Sequence, residues 1–194
     1  MLTRPRNRPR LLRRLIAPAI RRGGAFAHDE RGVTAIEFGI LALPFFTIIF
    51  AILETTLIFF AGQILDTAVA DSSRLIRTGQ AQSAGYTSAN FRTEICNRLY
   101  GLFDCDALKI KVQVVTNFTS ATITNVTETG EDCDPECDWT IVEGYNPGTG
   151  SQVVLVEAYY KWPAIVNLPW FDLRNQPDGV RLLAGVRVFK NEPF

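Results

Sequence analysis

Histidine is almost absent from this chain of 194 residues, in which His28 is the only one. The sequence also lacks a G-x-S-x-G nucleophile turn, a phosphate-binding loop and a dinucleotide-binding glycine pattern. Because no histidine follows position 28, the serines of the C-terminal part have no imidazole base to activate them. We therefore expect neither an enzyme nor a cofactor.

Basic residues are missing between Arg31 and Arg74. Most of this interval is an apolar run that begins at Val33, continues for about 28 residues and contains only two charges, Glu37 and Glu54. A segment of this length and hydrophobicity crosses a bilayer. Nine arginines precede it, so we expect a single-pass protein with a cytoplasmic N-terminus and an extracytoplasmic C-terminal part.

The net charge of zero conceals two oppositely charged parts. Residues 1–32 hold nine arginines and two acidic residues, whereas the remainder holds eleven basic and eighteen acidic residues. A basic tail beside an apolar span indicates membrane topology and contact with the lipid bilayer. Since no basic patch follows the span, we expect no nucleic-acid partner.

All four cysteines follow the apolar run, at Cys96, Cys105, Cys133 and Cys137. If the N-terminal tail is cytoplasmic, they lie in an oxidising compartment, where an even number indicates two disulfides. Four cysteines allow three connectivities, and sequence proximity favours Cys96–Cys105 with Cys133–Cys137. The cysteines lack paired C-x-x-C spacing and a histidine on their side of the membrane, so we expect no metal site of the zinc type.

An acidic segment, EDCDPECDWTIVE at residues 131–143, surrounds the last two cysteines. Its carboxylates could hold Ca²⁺, although the spacing does not match an EF-hand. A solvated loop closed by a disulfide is the alternative interpretation.

Helical periodicity runs without a break from Val33 to about Gly79, which gives a helix about 70 Å long, far more than a bilayer requires. The second half must therefore leave the membrane and pack on another element, and its predicted contact stripe is Ile64, Ala68, Ser72, Leu75 and Gly79. A second helix is predicted from Thr87 to about Phe103.

The period then changes from 3.6 to 2, which predicts strands at 108–116, 118–126, 152–162 and 182–190. The third is apolar on both faces apart from Glu157 and is predicted to be central. The fold class is therefore α+β: a long N-terminal transmembrane helix continues as an exposed amphipathic stalk, and one helix packs on a small antiparallel sheet. The predicted segments are a basic leader at 1–32, the transmembrane helix and stalk at 33–80, and an extracytoplasmic domain at 81–194.

Three interpretations of the N-terminal region are open. The first is a plain membrane anchor. The second is a secretory signal cleaved after Ala70, at the A-x-A pattern of residues 68–70, although the apolar run is longer than the core of such signals. In the third, the basic leader, Gly32 and an apolar helix with glutamate at its fifth residue, Glu37, resemble a type IV prepilin processing site, with cleavage between Gly32 and Val33. Cleavage there would create an α-amine on the same helical face as Glu37, four residues away.

The run DERGVTAIEFGILALPFFTIIFAILETTLIFFAGQ, with its continuation to residue 83, resembles the TadE-like proteins. These are pseudopilins of the tight adherence (Tad, or Flp) type IVb pilus system in the bacterial inner membrane. The resemblance implies a minor pseudopilin with a periplasmic domain, processed by a prepilin peptidase after Gly32. Its implied partners are other pilins or pseudopilins and the inner-membrane platform proteins of the system, and Glu37 becomes the carboxylate that sets the register of assembly.

The second charge of the run, Glu54, has two interpretations. It marks the outer boundary of the membrane, with Thr55 and Thr56 hydrogen-bonded to the helix, or it pairs with a basic residue of a partner helix. The sequence favours the boundary interpretation. Thr55 and Thr56 also depart from the TadE-like pattern, which often has a glycine and a basic residue after this glutamate.

Overall fold

The computed structural model describes residues 32–123, 125–128, 137–168 and 171–194, without the side chains of residues 167 and 168. Residues 1–31 of the predicted leader and Cys133 lie outside these ranges. The chain divides into two compact units, Met1–Ile49 and Phe50–Phe194. A long apolar helix is followed by short helices and a small sheet, so the predicted α+β class is confirmed.

Helix α1 spans Val33–Arg77 and, within the described ranges, is the one helix that is long and apolar enough to cross a membrane. Three of its threonine hydroxyls are hydrogen-bonded within the helix. Those of Thr47, Thr55 and Thr56 each donate to the carbonyl oxygen four residues earlier, at 2.7, 2.8 and 2.8 Å. This bonding satisfies polar groups that would otherwise destabilise an apolar helix, and it confirms the prediction for Thr55 and Thr56.

The second half of α1 packs against the sheet. Its fully buried side chains include Leu65, Val69 and Ile76, whereas Ile64 and Leu75 are only partly buried. Of the predicted contact stripe, Ala68, Ser72 and Gly79 are buried as predicted, whereas Ile64 and Leu75 are not fully buried. The buried face also includes Val69, which packs against a strand glycine, Gly185.

Two short helices follow α1. Helix α2 spans Gln80–Ser83 and begins after Gly79, whose φ of 76° is left-handed and favours glycine. Helix α3 spans Ser88–Cys96 and begins at a reciprocal capping box between Thr87 and Asn90. The prediction that α3 would continue to Phe103 was wrong, because turns that include the left-handed Gly101 interrupt the helical path.

Four strands form the main sheet: β1 (Lys109–Val115), β2 (Gly144–Tyr145), β3 (Val153–Pro163) and β6 (Val180–Lys190). Their order is β2-β1-β3-β6, and a separate pair consists of β4 (Asn167–Leu168) and β5 (Phe171–Asp172). The pairs β1–β3 and β3–β6 are antiparallel, but β1 and β2 are parallel. The sheet is thus mixed rather than antiparallel as predicted, and β3 is central and buried on both faces as predicted.

The strand predicted at 118–126 was wrong. Residues Phe118–Ser120 form a 3₁₀ turn in which Asn117 and Ser120 bond to each other's backbone N–H groups. These local side-chain bonds compete with strand pairing and outweigh the β-branched composition of the segment. Further along, only an isolated bridge joins Thr127 to Trp139.

The outer edge of β6 is partly occupied by side chains. The Asn175 side chain accepts from the Leu182 N–H at 2.7 Å and donates to the Leu182 carbonyl at 3.3 Å. The guanidinium of Arg187 donates to the Val186 carbonyl at 2.8 Å. Two positions of this edge strand are therefore already hydrogen-bonded on the side away from β3.

One hydrophobic core joins α1, α3 and the sheet. The largest fully buried side chains in it come from all three kinds of element and include Leu65, Ile76, Phe91, Ile95, Val154 and Val156. Because these side chains are shared, the end of α1 is an integral part of the folded unit and not a separate linker.

Candidate functional site

The predicted processing site lies at the beginning of α1. Val33 is the first residue of the helix, and Gly32 precedes it in an exposed position. A Cβ atom added to Gly32 would meet no atom within 4 Å, and the φ of this glycine is not left-handed. The fold itself therefore does not require a glycine at position 32.

Glu37 lies one helical turn after Val33 and is exposed. Within the described residues, no hydrogen bond or ion pair involves its carboxylate. A carboxylate in a membrane-spanning segment costs about 2.5–3.5 kcal/mol near the bilayer centre and less towards the interface. Of the two carboxylates of the apolar run, Glu37 is thus the one without a partner among the described residues.

Glu54 has the opposite environment, since it is 7% exposed. Its carboxylate accepts hydrogen bonds from the backbone N–H groups of Ile165 and Val166, the second at 3.1 and 2.9 Å to its two oxygens. Residues 164–166 connect β3 to β4. We call this arrangement the Glu54 loop contact. Hydrogen bonds from backbone amides offset the cost of burying this carboxylate.

Neither interpretation of Glu54 from the sequence anticipated this contact. The charge does not end the exposed apolar surface of α1, since Leu57, Phe59 and Phe60 beyond it are exposed. Its partners are backbone amides of the same chain. No sequence signal could have identified them, because nearly every residue carries an N–H group.

Two further contacts hold α1 on β6. The Arg187 guanidinium donates to both carboxylate oxygens of Asp66, at 2.7 and 2.6 Å. This bidentate pair raises the pKa of Arg187 mainly through its hydrogen bonds to Asp66. Nearby, a Cβ atom added to Gly185 would lie 2.9 Å from a methyl carbon of Val69. The strand backbone can approach the helix this closely only because position 185 has no side chain.

One predicted disulfide is confirmed: Cys96 and Cys105 are bonded, with 6.0 Å between their Cα atoms. The bond closes the turn between α3 and β1. Cys137 is buried and also disulfide-bonded, while Cys133 lies outside the described residues. The carbonyl of Cys137 accepts a hydrogen bond from Lys161 of β3, which also forms an ion pair with Asp178 at 3.2 Å.

A polar cluster centred on Glu143 joins α3 to the beginning of β1. The Glu143 carboxylate accepts from Arg92 at 2.6 Å and from the Ile110 N–H at 3.0 Å, and lies 3.8 Å from Lys109. Burial raises the pKa of Glu143. The Ile110 N–H, Arg92 and Lys109 lower it, and their combined effect is larger, so the net shift of the pKa is downward. The ionised carboxylate therefore stabilises this junction.

The described residues contain no group of three or more histidine, cysteine or acidic residues able to hold a metal ion. Four of the six acidic residues of the segment considered for calcium binding, all within residues 131–136, lie outside the described ranges. Inside the sheet, the Tyr159 hydroxyl donates to the Glu157 carboxylate at 2.9 Å. Burial and the neighbouring Glu157 raise the pKa of Tyr159 well above its ordinary value, so the buried carboxylate keeps its proton donor at physiological pH.

The comparisons with known proteins bear on the first part of the chain. The chain matches no curated protein and no solved structure. A family model does match part of the chain. The matched part begins at Gly32, just before α1, and ends at Arg74, near the end of α1. Residues 32–74 thus match the family described as TadE-like protein, which confirms the resemblance seen in the sequence.

Proposed function

We propose that the chain is a minor pseudopilin that takes part in assembly of a type IVb (Tad) pilus and is processed by a prepilin peptidase after Gly32. The family match associates the chain with the Tad pilus system, and α1 is long and apolar enough to place it in a membrane. The proposal adds the bacterial inner membrane, a cytoplasmic leader and a periplasmic C-terminal domain.

The observation that carries this proposal is the contrast between Glu37 and Glu54, the two carboxylates of the apolar run at the start of α1. Glu54 is satisfied by backbone amides of its own chain, whereas Glu37 is exposed and has no bonded group within the described residues. In a bilayer such a carboxylate favours a cationic partner. Cleavage after Gly32 would supply one, because each processed subunit would carry an α-amine at Val33 close to the level of its neighbour's Glu37.

The position of the A-x-A pattern argues against the secretory-signal interpretation. Ala68 and Val69 lie within α1 and are almost fully buried against the sheet. Cleavage after Ala70 would remove Leu65 and Val69 from the core, together with the Glu54 loop contact. At about 1.5–3 kcal/mol for each large buried side chain, a domain of this size would lose much of its stability.

The deciding experiment is to determine the mature N-terminus by mass spectrometry, in cells with and without the prepilin peptidase. The proposal requires Val33 at the N-terminus when the peptidase is present and an unprocessed chain when it is absent. An unprocessed chain in both strains would favour an uncleaved membrane protein with a periplasmic binding or sensing domain. An N-terminus at Asp71 would indicate a secretory signal.

Two matched glycine variants separate recognition by the peptidase from folding. Gly32→Leu and Gly39→Leu both introduce a side chain where a Cβ atom meets nothing within 4 Å. We expect Gly32→Leu to block processing, because the bulky side chain would occupy the peptidase cleft beside the cleaved bond. Gly39→Leu should be processed normally. Normal processing of both variants would contradict the assignment of Gly32.

A further inference from the structure

The exposed apolar surface of α1 continues well past Glu54. Leu57, Phe59 and Phe60 are 51%, 68% and 55% exposed. The exposed positions that follow, beginning at Gln63 and including Asp71, are polar. The change from an apolar to a polar helix surface therefore falls between Phe60 and Gln63, and lies on the C-terminal side of Glu54.

At the level of Glu54 the folded domain already covers the other face of the helix. Ala51, Glu54 and Ile58 are buried, and the Glu54 loop contact fixes residues 165 and 166 beside this turn of α1. The Ile165 side chain is 86% exposed. An apolar side chain of the domain is thus held about two helical turns below the border at Phe60 and Gln63.

The border between the apolar and polar surfaces of α1 sets the depth of this level. If the outer surface of the bilayer lies at Phe60, then Glu54, six residues earlier in the helix, lies about 9 Å below it at 1.5 Å per residue. The complete bilayer is about 40–45 Å thick and its hydrocarbon core about 30 Å, so each headgroup region is about 5–8 Å deep. Glu54 therefore lies close to the boundary between the headgroup region and the hydrocarbon core.

We propose that the loop of residues 164–166 is seated at the outer boundary between the headgroup region and the hydrocarbon core of the bilayer, where Ile165 contacts lipid. The neighbouring turn of α1 also exposes apolar side chains, since Leu53 and Leu57 are exposed on either side of Glu54. The Glu54 loop contact makes this position tolerable, because the carboxylate at this depth is already satisfied by protein donors. The inference rests on the proposed membrane insertion of α1.

The experiment measures the depth of three side chains in the full chain reconstituted in vesicles of phosphatidylethanolamine and phosphatidylglycerol. p-Acetylphenylalanine replaces Ile165, Phe118 or Leu41 and receives a nitroxide through its ketone, which leaves the disulfides intact. Phe118 is the matched control. It is an exposed apolar residue that lines one groove with Val153, at the end of β3 opposite Pro163. Leu41 is an exposed position of the span itself.

Electron paramagnetic resonance then compares nitroxide collisions with oxygen, which concentrates in lipid, and with a water-soluble nickel chelate. We expect the oxygen-to-nickel ratio at position 165 to be severalfold higher than at 118 and to approach that at 41. A ratio at 165 equal to that at 118 would overturn the inference. So would protection of 165 from both reagents, which would indicate a neighbouring subunit. If position 41 were also aqueous, the proposed membrane insertion itself would fail.

Discussion

The backbone N–H of Val166 donates to both carboxylate oxygens of Glu54, although the two residues are 112 positions apart in the chain. Together with the Ile165 N–H, this contact joins the loop after the central strand to the apolar part of α1. The buried carboxylate and the two backbone N–H groups satisfy each other, so removal of the carboxylate leaves the two donors without this acceptor.

Replacement of Glu54 should therefore destabilise the folded unit. We expect Glu54→Ala to lower the free energy of unfolding by about 2–4 kcal/mol, because it leaves two backbone donors unpaired. Glu54→Gln keeps one acceptor oxygen and should cost less. The measurement is urea unfolding of the full chain in detergent micelles, followed by near-ultraviolet circular dichroism. Glu37→Ala is the control, and equal stability of Glu37→Ala and Glu54→Ala would contradict the role of the Glu54 loop contact.

A methyl group at position 185 should force α1 away from β6. The added carbon of Gly185→Ala would lie 2.9 Å from a Val69 methyl and 3.3 Å from the Leu65 carbonyl, and overpacking of this kind costs about 1–3 kcal/mol. Gly144→Ala provides the comparison within the same sheet, since its Cβ would meet nothing within 4 Å. Thermal unfolding in micelles should show a lower midpoint for Gly185→Ala alone. A similar midpoint for both variants would mean that the helix does not pack this closely on β6.

The Cys96–Cys105 bond should stabilise the turn between α3 and β1. It closes a short loop, with a sequence separation of 9, for which loop-closure entropy gives about 2–3 kcal/mol. We expect the double variant Cys96→Ser with Cys105→Ser to unfold at correspondingly lower urea concentration. Intact-mass analysis after alkylation without reductant provides the control, since the wild-type chain should gain no adduct. An unchanged unfolding midpoint would show that the bond contributes little.

The Glu143 cluster predicts a pH-dependent contribution to stability. The folded-state pKa of Glu143 is depressed, so its contribution is present above the unfolded pKa, about 4.3, and is lost as the pH falls through the folded value. At pH 7, Glu143→Gln should be less stable than wild type by about 1 kcal/mol, because the carboxylate is only partly shielded from solvent.

The difference between Glu143→Gln and wild type should shrink as the pH falls below about 4. The check is the urea midpoint of both proteins across this pH range. A difference that stayed constant would exclude ionisation of Glu143 as its source.

The periodic elements of this fold could be predicted from the sequence, and the contacts that depend on single backbone groups could not. Alternation of Leu108, Ile110 and Val112 predicts β1, since one face of a half-buried strand must be apolar. The two-residue strand β2 has no such periodicity, and its parallel pairing with β1 makes the sheet mixed. Similarly, the reciprocal bonds of Asn117 and Ser120 replace a predicted strand by a turn.

The candidate site also has one part that the sequence predicts and one part that it does not. Gly32, Val33 and Glu37 follow from a contiguous pattern, and the family match begins at the same glycine, although their roles in processing and assembly stay predictions. The partners of Glu54 lie 111 and 112 residues away and are main-chain amides. Such donors cannot be identified from the sequence, because the fold determines which main-chain N–H groups have no partner within a helix or sheet.

The occupied edge of β6 has a consequence if α1 anchors the protein in a membrane, as proposed. Attachment confines copies to two dimensions, where they collide far more often than in free solution. An open strand edge under these conditions would favour fusion of sheets between neighbours. The Asn175 side chain occupies both main-chain groups of Leu182, and Arg187 occupies the carbonyl of Val186. An approaching strand must first displace these side chains. Frequent collisions between copies in the bilayer therefore lead less readily to aggregation through β6.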